Sequence, residues 1–129
     1  MNVEAILDTS VFIAVESGRP LDRSAIPDAV GISAITVGEL RAGVLAAPDP
    51  ATADTRLSTL LLATRVTPVP IDEQVAFAWA RLRIELAAAK RAMPANDSWI
   101  AATAIALEVP VVAQDADYDG VPRLDVIRA

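Results

Sequence analysis

The 129-residue chain contains no cysteine and no histidine. The first absence removes disulfides, thiolate catalysis and zinc–thiolate sites. The second removes the commonest general base and the commonest transition-metal ligand. Any catalysis must therefore use carboxylates, hydroxyls, amides or cations. Lysine occurs once, as Lys90, against ten arginines. Long uninterrupted apolar runs are also missing: "AILDTSVFIAV" and "LSTLLLATRV" are too short or too broken to span a bilayer, and no basic stretch followed by an apolar run opens the chain. These features read as a soluble, cytoplasmic protein with no membrane partner.

What is present is a hydrophobic content of 53%, enough for a sizeable core. At this length it predicts one domain over residues 1–129. The formal charge of −6 speaks against a nucleic-acid partner, because phosphate binding is driven by cationic neutralisation. An acidic total is still compatible with a locally basic surface, and bound divalent cations reverse the sign of an acidic cluster.

Along the chain, short apolar strands alternate with helical patterns. "VEAIL" reads as a strand that ends in the polar break Asp8, Thr9 and Ser10. "RPLDRSAIPD" reads as a surface connection with at most one short helix. "AVGIS" is a second strand. In the following helix Ser33 is the expected cap, Ile35, Leu40, Val44 and Ala47 form the stripe, and Pro48 closes it. In "DPATADTRLSTLLLAT" either Asp49 or Asp54 caps a helix with Leu57, Leu60, Leu61 and Thr64 on one side. "RVTPVPID" is a marginal strand because of its prolines. From Asp72 to Arg91 the positions Val75, Trp79, Leu82, Leu86 and Ala89 keep helical spacing, with Arg81, Arg83 and Glu85 off that line. "PANDSWIAATAIALEV" gives a last helix with Ile100, Ala104 and Leu107 inward. "PVVAQ" and "LDVIRA" are strands joined by the turn "DADYDGVP". This alternation implies an α/β fold with a parallel sheet covered on both faces and ligands gathered at the carboxyl ends of the strands.

Four acids fall at comparable places on that rim. Asp8 ends the first strand, Glu39 lies in the helix after the second, Asp97 starts the late helix, and Asp115 follows "PVVAQ". Packed together they repel, unless a hard divalent cation joins them. Metal-assisted hydrolysis of a phosphodiester is the chemistry these residue types best permit. Each acid also has a plain structural alternative. Asp8 could cap the segment that begins at Thr9, and Asp97 or its neighbour Asn96 could cap the late helix. Glu39 could pair with Arg41 at the surface. Of Asp115, Asp117 and Asp119, at least two fit simple turn formation.

The stretches "ILDTSVFIA", "ISAITVGELRAG", "PANDSWIAATAIAL" and "VPVVAQDADYDGV", in this order and spacing, resemble PIN-domain ribonucleases, specifically VapC-type toxins of bacterial toxin–antitoxin pairs. The resemblance covers essentially the whole chain. It implies a three-layer α/β/α fold, an acidic pocket for Mg²⁺ or Mn²⁺, and endonucleolytic cleavage of RNA. It also implies a homodimer and inhibition by a small VapB-type antitoxin, with a basic and apolar segment laid over the pocket. Carried over by position, Asp8 and Asp97 become metal ligands, and Glu39 and Asp115 outer ligands or water-positioning groups. Ser10 becomes a supporting hydroxyl that holds a metal-bound water or a carboxylate, and Asp117 part of the last acidic element. Arg41, Arg19, Lys90 and Arg91 become candidate phosphate contacts. The chain departs from the pattern at Ala113 and Gln114, where the family often has Thr and Arg.

Two other readings stay open. A phosphotransferase using Asp8 as nucleophile would need an acid two residues on, where this chain has Ser10. A catalytically silent PIN-like interaction module would need none of the acids, yet all are present.

Overall fold

The protein is described from a computed structural model, in which residues 2–129 are placed. Five short strands form one sheet: β1 (Ala5–Leu7), β2 (Val30–Ser33), β3 (Thr67–Val69), β4 (Val111–Ala113) and β5 (Val126–Arg128). Their order is β3-β2-β1-β4-β5, and all pairings are parallel. Five helices cover the sheet: α1 (Thr9–Ser17), α2 (Ala34–Leu45), α3 (Pro50–Ala63), α4 (Glu73–Ala88) and α5 (Ala95–Leu107). A single 3-10 turn, Arg23–Ala25, interrupts the connection before β2. This is the expected α/β/α arrangement.

Strand periodicity explains the three layers. Ala5 and Leu7 face one side of the sheet, with Ile32 and Val112, and pack on Val11, Phe12, Leu40, Leu60 and Ala63 of α1, α2 and α3. Ile6, Val111 and Ala113 face the other side, against Leu82, Leu86, Ile100, Ala101 and Ala104 of α4 and α5. Both faces are covered, so the strands read as continuous apolar runs. Helix α5 has Ala101, Ala102, Thr103 and Ala104 fully buried, and this near absence of bulk lets it lie close on the sheet. Among the described residues no helix is long and apolar enough to cross a membrane.

Several local expectations change. Asp49, not Asp54, caps α3 by accepting from the Thr52 N–H at 2.7 Å. The apolar stripe of α3 is rotated: Leu60 is buried with Thr59 and Ala63, whereas Leu57, Leu61 and Thr64 lie on the exposed side. Two polar anchors fix that rotation, Arg56 donating to the Gly43 carbonyl at 2.8 Å and Thr59 donating to Glu16 at 2.8 Å. Ala47 lies beyond the end of α2, and Ala89 is the exposed C-cap of α4. Helix α4 begins after Asp72, which accepts from the Val75 N–H, and stops before Lys90, whose φ of 53° turns the chain back.

The topology fixes where a ligand would sit. From β1 the chain moves to β2 and β3 on one side, then crosses to β4 and β5 on the other, so β1 and β4 are the neighbours at which the order reverses. The crevice beyond their carboxyl ends is the expected binding place. Asp8 follows β1 there, and Gln114 and Asp115 follow β4.

Close approach of β2 and β3 depends on Gly31. A Cβ at this position would lie 3.1 Å from a Val69 methyl, 3.2 Å from the Thr67 carbonyl and 3.2 Å from Val3. Gly31→Ala should therefore cost about 1–3 kcal/mol. Urea unfolding would read this as a lower midpoint with an unchanged slope; a midpoint equal to wild type would contradict the packing described.

Candidate active site

Asp8 is 6% exposed and has both oxygens engaged. Oδ2 accepts from the Ser10 N–H at 3.1 Å, so the residue does cap α1, while Oδ1 accepts from the Tyr118 hydroxyl at 2.6 Å. The cap and the site share one side chain.

Helix α5 departs from expectation. Its N-cap is Pro94, and no side chain caps it. Neither Asn96 nor Asp97 does so, because both already lie inside the first turn. Asn96 instead donates to Glu39 Oε2 at 3.4 Å, and Asp97 Oδ1 stands 3.4 Å from the Tyr118 hydroxyl. Asp97 keeps the favourable position of an acid near a helix start, yet its carboxyl is directed at the rim of the sheet.

Glu39 is half-buried and makes no ion pair with Arg41. Its Oε1 accepts from Thr9 at 2.8 Å, and the Thr9 hydroxyl in turn meets that of fully buried Thr36 at 3.0 Å. Residues next to Asp8 and Asp97 thus hold Glu39 from two sides, and the three acids share one rim.

Asp115 and Asp117 are exposed in the turn after β4. One oxygen of Asp115 accepts from the Asp117 N–H at 3.1 Å, which is turn-forming work. Asp119 pairs with Arg128 at 2.9 Å. The Asp117 carboxyl is pushed up chiefly by the charge of Asp115.

Electrostatics carry the same pattern. Asp97 is raised from 3.8 to about 6, first by burial and then by the charges of Asp8, Asp117, Glu39 and Asp115. The Tyr118 phenol is pushed well above its ordinary value by burial and then by Asp8, so it is a protonated donor. Among the described residues the salt bridges involve only Glu85 and Asp119, and none reaches Asp8, Glu39 or Asp97. The donor set is therefore hard oxygen without a basic partner, which suits Mg²⁺ or Mn²⁺. As the side chains stand, no three acidic groups among the described residues are close enough to hold one ion together.

Other expected residues divide. The Ser10 hydroxyl accepts from the Gln114 N–H at 3.2 Å and so ties α1 to the end of β4; it touches no carboxylate. Gln114 itself donates to the carbonyls of Ala129 at 2.5 Å and Pro20 at 3.2 Å, a structural use of the position at which the chain departs from the pattern it resembles. Arg91 is not free for phosphate, because its guanidinium donates to the carbonyls of Asp117 and Asp119 and clamps the acidic turn. Arg19, Arg41 and Lys90 are exposed.

Two contributions were not read from the sequence. Tyr118, the lone tyrosine of the chain, carries a hydroxyl into the acid group; a bulky residue inside an otherwise polar turn is the signal. Trp79 and Trp99 stack with ring centroids 4.3 Å apart, and Trp79 Nε1 donates to Ser98, the residue after Asp97, at 3.0 Å.

A sheet of this topology with acids at its switch point is shared with a known class. The PIN domain family model matches residues 5–124. The chain belongs to the PIN-domain family. Within it, the chain is 51% identical to Ribonuclease VapC4 of Mycobacterium tuberculosis over 129 residues, covering 98% of both, and 47% identical to Ribonuclease VapC5 of the same organism over 126 residues, covering 95% of this chain and 93% of that one. The crystal structure of VapBC-5, a member of the VapBC family of toxin–antitoxin systems from M. tuberculosis, superposes with a TM-score of 0.88 at 43% identity, covering 98% of this chain and 99% of that one.

The raised Asp97 value predicts a pH dependence for the metal-free protein. The folded state binds more protons than the unfolded state between 3.8 and about 6. Stability is thus greatest below the lower value and falls as pH rises through the upper one. Discounted for partial exposure, the loss is about 1–2 kcal/mol. Asp97→Asn should abolish most of it and raise the metal-free Tm by a few degrees above pH 7; equal Tm values for the two proteins across pH 4–7 would refute the assignment.

Proposed function

We propose that this chain is a metal-dependent endoribonuclease, the toxin half of a toxin–antitoxin pair. The observation that carries the reading is the meeting of Asp8 and Asp97 over one hydroxyl at the switch point of the sheet, with no basic side chain among the described residues paired to either. The VapC ribonucleases named above supply the activity by similarity.

Asp8 and Asp97 would hold Mg²⁺ or Mn²⁺, with Glu39 and Asp115 as outer ligands or water-positioning groups. A divalent cation supplies charge for the phosphate and a lowered pKa for a bound water. The chain's own groups do the rest. Glu39, oriented by Thr9 and Asn96, offers a carboxylate to a water. Exposed Arg19, Arg41 and Lys90 are available to RNA phosphates, whereas Arg91 shapes the acidic turn.

The same uncompensated acids suit a VapB-type antitoxin that brings a basic side chain, a reading supported by likeness to the VapBC-5 complex. A homodimer through apolar helix faces fits the exposed Leu45, Leu57, Leu61 and Leu62 on α2 and α3, and Phe77 and Ile84 on α4. The cytoplasm is the compartment where such a nuclease would meet its RNA.

Purified chain, free of antitoxin, should cleave a mixed RNA pool in Mg²⁺ or Mn²⁺ and lose that activity in EDTA. Asp8→Asn and Asp97→Asn should each lower the rate about 100-fold or more. Identical RNA profiles from wild type and both variants would overturn the nuclease reading and leave an interaction module in its place.

A further inference from the structure

The nuclease reading uses four acids; it assigns nothing to Tyr118. This side chain is 1% exposed and packed in the core cluster with Leu82, Leu86, Ile100, Ala113 and Val121, so its ring has one position. Its hydroxyl nevertheless leaves that apolar setting to donate to Asp8 Oδ1 at 2.6 Å and to approach Asp97 Oδ1 at 3.4 Å. Asp8 is therefore gripped at both oxygens, by a helix N–H on one and a phenol on the other. A hydrogen bond on each oxygen restrains the carboxylate against rotation about its terminal bond and orients the lone pairs left over.

We infer that Tyr118 is a positioning residue for the divalent cation: its hydroxyl fixes the Asp8 carboxylate for metal and brings the turn after β4 into register with α5. The inference rests on the proposed metal-dependent site. Arg91 supports the same geometry from outside, since its two hydrogen bonds fix the carbonyls of Asp117 and Asp119 on either side of the tyrosine. A phenylalanine would fill the same core space and supply no donor.

Tyr118→Phe isolates the hydroxyl, and titration calorimetry with Mn²⁺ on the antitoxin-free chain reads its role without any RNA. Loss of an outer-shell donor typically weakens metal binding by about 10–100-fold, and that is the expected result for Tyr118→Phe. Val121→Ala, which loosens the same cluster without touching a carboxylate, should lower Tm yet bind Mn²⁺ with wild-type affinity. If wild type binds Mn²⁺, Asp8→Asn does not, and Tyr118→Phe binds as wild type does, the tyrosine assignment falls and the metal site stands. Equal weakening in Tyr118→Phe and Val121→Ala would reduce the role to core packing and overturn the assignment too. If wild type itself binds no Mn²⁺, the metal-dependent reading and this inference fall together.

Discussion

Asp8, Tyr118 and Asp97 come from the end of β1, the turn after β4 and the first turn of α5, and one phenolic hydroxyl lies between the two carboxylates. Like charges do not gather unless something holds them. Here covalent continuity with buried elements does the holding. Leu7 and Val11 bracket Asp8, Ile100 and Ala101 follow Asp97, and all four are core residues. The repulsion is confined to a few side chains, while the surrounding apolar contacts keep the rim in place. Burial raises the Asp97 carboxyl first, and the charges of Asp8, Asp117, Glu39 and Asp115 add to it.

The basic residues of the chain are arranged so that this tension is not relieved internally. Arg81 and Arg123 meet on Glu85, Arg128 meets Asp119, and Arg91 is committed to backbone carbonyls. A cationic side chain placed among Asp8, Glu39 and Asp97 would stabilise the protein and close the site to an external cation. The negative total charge and the proposed function are thus compatible: the rim acids have no cationic partner among the described residues, and exposed arginines elsewhere remain for a polyanion.

Much of the architecture was legible because strand and helix periods differ and both faces of the sheet demand apolar residues. Asp8, Glu39 and Asp97 could be placed on one rim from topology alone. The places where the fold departs from the sequence pattern share a cause. The stripe of α3 followed its leucines, but Arg56 and Thr59 fix the helix by hydrogen bonds to α2 and α1, and those partners are distant in sequence. Asp97 looked like a cap because capping is a local property; its actual neighbour, Tyr118, is 21 residues away. Arg91 looked free because nothing nearby in the chain is acidic, whereas its acceptors are the carbonyls of a turn 26 and 28 residues on.

By itself the sequence determined the chemistry available. Lacking histidine and cysteine, the chain has carboxylates as its available acid–base and metal-binding groups, and its strand–helix alternation sends several of them to the carboxyl ends of a parallel sheet. Tertiary structure alone decided which oxygens meet, which acids are lifted in pKa, and that a tyrosine stands between two of them. The physical reason is range: periodicity and capping act over a few residues and can be read along the chain. Hydrogen-bond geometry and desolvation depend on atoms that only folding brings within 3 or 4 Å of one another.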